Sequence, residues 1–203
     1  MSIYAFKPAF QLLLQPHVGR LARAGVTANQ VTLLAAIGSV AIGGIVALAW
    51  PARWVFLLIP LWLLIRMALN AADGMMARDH GMKSRLGAFL NELGDVVSDA
   101  ALIAPFALLP PFGPAWIGLV ILLAALTEFA GVLGQTLGAS RRYDGPMGKS
   151  DRAVLFGALG LWVGLGAPVP GWFIWIMVAL AILLVATIVR RVRGALFETR
   201  KMP

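Results

Sequence analysis

The 203-residue chain contains no cysteine, and charged residues make up only 13% of it. The absence of cysteine excludes disulfides, thiolate nucleophiles and thiolate-bound metals. Soluble domains contain about 25% charged and roughly 45–50% apolar residues, whereas apolar residues reach 60% here. A soluble domain of this length cannot bury so much apolar surface. The composition therefore excludes a soluble domain, a disordered chain and a nucleic-acid-binding module, and it predicts an integral membrane protein.

Long apolar stretches follow one another along the chain, and a transmembrane helix needs about 20 such residues. The stretches lie at 24–52, 54–77, 86–109, 115–137 and 153–189. The last stretch is too long for one helix, and a segment with two prolines and two glycines divides it in two. The sequence therefore predicts an all-α membrane protein with six transmembrane helices.

Lysine and arginine are distributed unevenly between the two ends of these helices. If the N-terminus lies in the cytoplasm, 15 of the 17 basic residues lie in cytoplasmic segments, as is typical of membrane proteins. The net charge of +8 is therefore attributed to topology and not to nucleic-acid binding. Both termini are predicted to lie in the cytoplasm.

The chain is predicted to form a single membrane domain. Residues 1–24 form a juxtamembrane amphipathic segment, residues 25–193 hold the six helices, and residues 194–203 form a cytoplasmic tail. In the first segment, the apolar residues that can share one helical face are Phe6, Phe10, Leu13 and Leu14. Such a face is typical of a helix that lies on the cytoplasmic membrane surface.

Five of the nine acidic residues lie between positions 73 and 99, although an ionisable residue at bilayer depth costs about 2.5–3.5 kcal/mol. Helical spacing gives the second and third helices one polar face each. The residues on these faces are Arg66, Asn70 and Asp73, and Asn91, Asp95 and Asp99. Because the faces converge, they predict a polar cavity bordered by Asn70, Asp73, Asn91 and Asp95. Their oxygens favour a hard divalent cation.

A purely structural interpretation of this cluster also stands. Small residues would pack the helices together, and the acids would pair with Arg66 and Arg78. This interpretation is favoured for Glu92, which points about 100° away from Asn91. Gly74, Ala77 and Gly87 have little bulk, which lets either a helix or a ligand approach the backbone closely.

Residues 70–95 resemble the signature of the class I CDP-alcohol phosphatidyltransferase family, Asp-Gly-x2-Ala-Arg-x8-Gly-x3-Asp-x3-Asp, often with another Asp three residues earlier. The matching residues are Asp73, Gly74, Ala77, Arg78, Gly87 and Asp95. Asn70 and Asn91 stand where the family has aspartate. Residues 27–32 resemble the start of the family's first helix. Residues 148–152 are similar to a Gly-Lys-rich segment of relatives that make phosphatidylglycerol phosphate.

The resemblance implies a membrane phosphatidyltransferase of phospholipid biosynthesis. A CDP-linked lipid of the CDP-diacylglycerol type would give its phosphatidyl group to an alcohol or a phosphorylated alcohol, and CMP would leave. Asp95 would be the catalytic base. The residues implied to bind the CDP donor are Asp73, Gly74, Ala77, Arg78 and Gly87. The residues implied to hold Mg²⁺ or Mn²⁺, as two ions or one, are Asn70, Asp73, Asn91 and Asp95.

Four basic residues are candidates for binding a phosphate on the acceptor: Arg141, Arg142, Lys149 and Arg152. They lie within twelve residues on the cytoplasmic side. The alternative is that they serve topology alone, because cytoplasmic loops are basic in any case.

The expected partners are a CDP-linked lipid donor, a small alcohol acceptor and membrane lipid, with no nucleic acid; helix faces of small residues are compatible with a homodimer. The expected location is the inner membrane of a bacterium, with the active site facing the cytoplasm. One alternative is a catalytically silent lipid- or nucleotide-binding homologue with a degenerate metal site, since two signature carboxylates are amides. Another is an ion or metabolite transporter, although inverted repeats and broken helices are not evident.

Overall fold

The computed structural model describes residues 7–200. Within that range the chain folds into seven α-helices joined by short loops and 3₁₀ turns, with no β-strand. The helices are α1 (Lys7–Arg23), α2 (Ala28–Leu48), α3 (Leu58–Asp79), α4 (Arg85–Ile103), α5 (Gly113–Leu133), α6 (Lys149–Gly164) and α7 (Ile174–Thr199). The all-α prediction is confirmed.

Four of the described helical segments are long and apolar enough to cross a membrane: Ala28–Leu48, Arg53–Asp79, Gly113–Leu137 and Gly171–Thr199. α4 is interrupted by three carboxylates, and α6 has only 16 residues. The predicted breaks coincide with loops, because Pro110 and Pro111 precede α5 and a Gly-Pro segment precedes α7. The structure thus supports an integral membrane protein, whereas the count of six spans stays a prediction.

α1 packs against α3 beside the main bundle. Val18 is buried there, whereas Leu12 and Leu13 are exposed. Of the predicted apolar face, Leu14 packs against the cluster that contains Val18, and Phe6 lies outside the described residues. Part of the predicted face therefore contacts α3, and part of it remains free to contact lipid.

α2 begins with a capping box, as residues 27–32 suggest. The hydroxyl of Thr27 accepts a hydrogen bond from the Gln30 amide, and the Gln30 side chain accepts one from the Thr27 amide. This reciprocal arrangement satisfies two amides that have no partner within the helix. It fixes the point at which the chain enters the bundle.

α2 lies in the middle of one half of the bundle and packs along both α3 and α4. A Cβ atom added to Gly43 would lie 2.1 Å from the carbonyl oxygen of Ala101, so glycine is required for the close approach of α2 to α4. α5 packs against α7, and α6 packs against α3. These contacts complete the bundle.

The main apolar core lies at the end of the bundle where α2 ends and α3 begins. Phe106 is at its centre, with ring centroids 5.3 Å from Phe56 and 5.2 Å from Phe156 in edge-on geometry. The opposite end contains the C-terminal end of α3, the N-terminal end of α4 and most of the charged residues. The fold therefore separates an apolar end from a polar end.

Candidate active site

Asp73 is the most buried acidic residue of the signature, with 6% of its surface exposed. Its Oδ2 accepts a 2.7 Å hydrogen bond from the hydroxyl of Thr32 in α2. Among the residues that the structure describes, Asp73 forms no ion pair. Asp73 is thus not paired with an arginine in this part of the chain, whereas Asp95 and Asp99 pair with Arg66 as the structural interpretation predicts.

The two asparagines of the signature lie on α3 and α4. Asn70 is half-buried and Asn91 is exposed. Within residues 7–200 neither amide side chain has a hydrogen-bonding partner. The side chain of Asn70 is therefore not occupied by another group of the described residues.

Arg66 connects α3 with α4. Its guanidinium is buried and donates a hydrogen bond of 2.7 Å to Oδ1 of Asp99 and one of 3.2 Å to Oδ1 of Asp95. Lys149 of α6 contacts the same Oδ1 of Asp95. Asp95, the predicted catalytic base, is thus held by two cations from different helices, because a buried carboxylate needs paired charge to remain in the interior.

Arg152 continues this series of ion pairs into α6. It donates from Nε and Nη2 to Oδ2 of Asp99, at 3.1 and 2.8 Å, and from Nη1 to the hydroxyl of Thr127, at 3.1 Å. Its Nη2 also donates 2.9 Å to Oε1 of Glu128. Only 2% of Arg152 is exposed, so this residue is part of the interior and not of a solvated loop.

Glu128 of α5 accepts from two further arginines. Nη1 of Arg191 lies 3.2 Å from its Oε2, and Nη2 of Arg141 lies 3.3 Å from the same atom. Arg141 also donates hydrogen bonds to both carboxylate oxygens of Glu92. The structural role favoured for Glu92 is therefore present, but its partner is Arg141 and neither Arg66 nor Arg78.

Nine charged residues thereby form one continuous ion-pair network through α3, α4, α5, α6, α7 and the loop after α5. They are Arg66, Glu92, Asp95, Asp99, Glu128, Arg141, Lys149, Arg152 and Arg191. Two faces predicted on neighbouring helices are thus part of a larger polar interior.

The loop between α5 and α6 carries the other two predicted acceptor residues. Arg142 pairs with Asp144 and with Glu198, at 2.9 Å each, and the guanidinium carbon of Arg141 lies 4.4 Å from the ring centroid of Tyr143. Partial burial alone would lower the pKa of Arg141, but the hydrogen bonds and charge of Glu92 outweigh it and raise that pKa. All four predicted acceptor cations thus already have carboxylate partners. Their role in acceptor binding stays a prediction.

The remaining signature residues lie near α2 and at the end of α3. A Cβ atom on Gly87 would lie 2.6 Å from Oδ1 of Asn29 and 2.9 Å from Oγ of Ser84. The absence of a side chain at Gly87 therefore makes room for the side chains of Asn29 and Ser84. Ala77 is half-buried and Arg78 exposed, and a Cβ on Gly74 would lie 3.2 Å from Nη1 of Arg78.

Sequence analysis did not single out Glu128, Arg191 or Thr127, and it assigned no site role to Thr32. One signal could have identified Glu128: it is the only charged residue between positions 113 and 137. An isolated ionisable residue inside an apolar stretch indicates a functional or paired position. Arg191 gives no comparable signal because it lies among several basic residues near the C-terminus.

The donor atoms around the signature can be compared with those that a divalent cation requires. In the described residues, no group of three or more His, Cys, Asp or Glu side chains could hold a metal, and amides occupy two signature positions. Amide oxygens are nevertheless ligands for hard cations. The amides of Asn70 and Asn91 and the carboxylate of Asp73 therefore carry oxygens of the type that such an ion binds.

Residues 25–193 match the family model for CDP-alcohol phosphatidyltransferase. The chain is 45% identical over 205 residues to the inner membrane protein YnbA of Escherichia coli K12, and the match covers all of both proteins. It is also 36% identical over 99 residues to a phosphatidylinositol phosphate synthase of Streptomyces avermitilis. That match spans 49% of this chain and 39% of the synthase.

The fold is similar to that of Mycobacterium tuberculosis phosphatidylinositol phosphate synthase. The crystal structure of that protein with manganese and citrate gives a TM-score of 0.71 at 23% identity, covering 93% of this chain and 89% of the other. The structure with CDP-DAG bound gives 0.69 at the same identity, covering 93% and 94%. The signature on α3 and α4, the helical fold and the match over residues 25–193 agree, and the chain belongs to the CDP-alcohol phosphatidyltransferase family.

Proposed function

We propose that this protein transfers the phosphatidyl group of a CDP-linked lipid, of the CDP-diacylglycerol type, to an alcohol and releases CMP. The observation that carries the proposal is the Asp73 carboxylate, which is buried, accepts a hydrogen bond from Thr32 and forms no ion pair in the described chain. A relative named as a phosphatidylinositol phosphate synthase supports it. So does a neighbour of the same fold that was crystallised with CDP-DAG.

The proposed topology has six spans and both termini in the cytoplasm of a bacterial cell. The basis is the distribution of 15 of 17 basic residues, together with the relative named as an inner membrane protein. The polar end of the bundle, where α3 ends and α4 begins, then faces the cytoplasm. Both the nucleotide and a water-soluble acceptor are accessible from that side. Residues 25–193 form the membrane domain that contains this site.

The donor is proposed to bind between α3 and α4. The residues assigned to it are Asp73, Gly74, Ala77, Arg78 and Gly87. Arg78 is exposed at the polar end and supplies positive charge for the pyrophosphate, whose recognition by arginine is charge-assisted. The small residues leave space beside the backbone.

One divalent cation, Mg²⁺ or Mn²⁺, is proposed to bind through Asn70, Asp73, Asn91 and Asp95. A neighbour of the same fold was crystallised with manganese. When bound, such an ion supplies Lewis-acid stabilisation of charge on phosphate oxygens. With two carboxylates instead of four, the protein provides too little negative charge for two ions, so the donor pyrophosphate must supply part of the ligand set.

Asp95 is proposed to accept the proton of the acceptor hydroxyl. The hydroxyl oxygen then forms a bond to the phosphorus of the phosphatidyl group, and the bond between that phosphorus and the CMP oxygen breaks. Arg66 and Lys149 hold the Asp95 carboxylate in position from two sides. The acceptor is proposed to approach from the side of Lys149 and Arg152, beside the loop that carries Arg141 and Arg142.

The test is release of CMP from CDP-diacylglycerol by the purified protein, with Mg²⁺ or Mn²⁺ and a panel of alcohols and phosphorylated alcohols. Product lipid and CMP should appear in equal amounts with at least one acceptor. A protein that binds the donor but releases no CMP with any acceptor would instead be a catalytically silent homologue. The reason to consider this alternative is that asparagines replace two signature aspartates. Restoring aspartate at positions 70 and 91 would then be expected to restore turnover.

A further inference from the structure

One carboxylate of α5, that of Glu128, contacts two of the four basic residues to which sequence analysis assigned an acceptor phosphate, together with Arg191. Glu128 is 7% exposed, and its two oxygens accept from three guanidinium groups. These groups come from the loop after α5, from α6 and from α7: Arg141, Arg152 and Arg191. Glu128 therefore takes the place that an anionic ligand would take among these arginines.

Carboxylates already offset most of the positive charge in this region, since the whole network holds five cations and four carboxylates. The three arginines face three carboxylates, because Glu92 binds Arg141 and Asp99 binds Arg152 in addition to the shared Glu128. A phosphate monoester would add about 1.5–2 negative charges at neutral pH. Buried charge without a partner is strongly unfavourable. A phosphate beside Glu128 would be repelled and not attracted.

The hydrogen-bonding capacity of the two buried arginines is also largely used. Arg152 makes four hydrogen bonds, to Asp99, Glu128 and Thr127, out of five N–H groups that a guanidinium possesses. Arg191 donates to the carbonyl oxygens of Thr127 and Asp144 as well as to Glu128. A phosphate that binds Arg152 would have to displace protein acceptors, whereas Nη2 of Arg191 has no acceptor among the described residues.

We infer that Glu128 is a specificity-determining residue that excludes a phosphate from the acceptor site, so that the acceptor is an alcohol without a phosphate group. The inference rests on the proposed phosphatidyltransferase activity and narrows its substrate class. It attributes a different role to Arg141 and Arg152: they organise the polar interior and do not bind a phosphate.

Matched acceptor pairs that differ only by a phosphate test the inference. Glycerol is compared with glycerol 3-phosphate, and inositol with inositol 1-phosphate, in CMP release by the full-length protein. The wild type should favour the member without phosphate by at least about tenfold in kcat/KM, since like-charge contacts in a desolvated site oppose binding. Glu128→Gln should shift this ratio toward the phosphorylated member by about tenfold or more.

Glu198→Gln is the matched control, because it makes the same chemical change at a carboxylate whose partners within residues 7–200 are Arg142 and Ser140. It should leave the acceptor ratio unchanged. A wild type that prefers the phosphorylated members would overturn the inference while supporting the proposed activity. An equal shift in both variants would also overturn it, because the effect would then be one of general charge.

Binding of inorganic phosphate separates this inference from the activity itself. The wild-type protein in detergent should show no saturable phosphate binding by calorimetry, whereas Glu128→Gln should bind phosphate. Saturable binding by the wild type would overturn the inference even if no acceptor supports CMP release. Absence of CMP release alone would contradict the proposed activity, and the wild-type phosphate titration decides the inference even if the variant does not fold.

Discussion

The hydroxyl of Thr32 donates a 2.7 Å hydrogen bond to Oδ2 of Asp73 and so joins the start of α2 to the C-terminal half of α3. Thr32 and Asp73 lie 41 positions apart, in two segments that both resemble the same family. The hydrogen bond brings these two segments into direct contact. The hydrogen bond orients a carboxylate that has no ion pair within the described residues. Thr32 is therefore a positioning residue for Asp73.

Thr32→Val removes this hydrogen bond while keeping the shape of the side chain. We expect kcat/KM for CMP release to fall by about 10–100-fold, the usual cost of losing a partner that orients a metal ligand. The Mn²⁺ concentration required for half-maximal activity should rise as well, which a merely structural role of Thr32 would not produce. Thr136→Val is the control, because Thr136 is exposed and, among the described residues, its hydroxyl bonds to the carbonyl of Leu133 alone. Equal activity of wild type and Thr32→Val would exclude the positioning role.

The two signature carboxylates should be indispensable. Asp73→Asn and Asp95→Asn are each expected to lower turnover by at least about 10²-fold, because one loses charge at the donor site and the other loses the base. The measurement is CMP release at saturating donor and acceptor. Asp79→Asn is the control, since Asp79 is exposed at the end of α3. Unchanged turnover in Asp95→Asn would remove Asp95 from the mechanism.

The amides at positions 70 and 91 should make metal binding depend on the donor. Mn²⁺ is expected to bind weakly to the protein alone and more tightly when a CDP-containing ligand is present, because the pyrophosphate completes the ligand set. Asn91→Asp should tighten Mn²⁺ binding without nucleotide and should be tolerated in turnover. Titration of Mn²⁺ followed by electron paramagnetic resonance gives the affinities. Equal affinities with and without nucleotide would contradict a shared site.

Hydropathy and helix-breaking residues allowed most of the fold to be predicted. The loops at Pro110 and near Gly166 fall where the sequence places them, because proline and glycine act on their own neighbourhood. The ion pairs were predictable only in part. Arg66 pairs with Asp95 and Asp99, as the converging faces and the structural interpretation predict. The periodicity of α3 and α4 does not show, however, which residues of α5, α6 and α7 meet these faces.

The same limit applies to the basic residues of the loop after α5. The charge distribution predicts the side of the membrane on which they lie, but it does not predict their partners. Arg141 pairs with Glu92, 49 positions earlier, and Arg191 with Glu128, 63 positions earlier. A basic cluster that looks ready for a phosphate in the sequence is therefore largely neutralised in the folded chain.

Arg66 should contribute strongly to stability. Arg66→Met leaves Asp95 and Asp99 with fewer cationic partners, and breaking a buried ion pair typically costs about 3–5 kcal/mol. For a chain of this size, about 3 kcal/mol corresponds to a fall of roughly 6–12 °C in the midpoint of thermal unfolding. Detergent-solubilised protein monitored by tryptophan fluorescence provides the measurement. Arg78→Met, at an exposed position without an acidic partner in the described chain, should change the midpoint by about 2 °C or less.

The orientation in the membrane can be tested directly because the chain contains no cysteine. Lys83→Cys introduces a thiol in the exposed loop between α3 and α4, and Trp172→Cys introduces one at the opposite end of the bundle, where 62% of the side chain is exposed. If the polar end faces the cytoplasm, a membrane-impermeant maleimide should label Trp172→Cys in intact spheroplasts. It should label Lys83→Cys only after permeabilisation. The reverse pattern would place the basic loops and the candidate active site outside the cytoplasm, contrary to the charge distribution on which the topology rests.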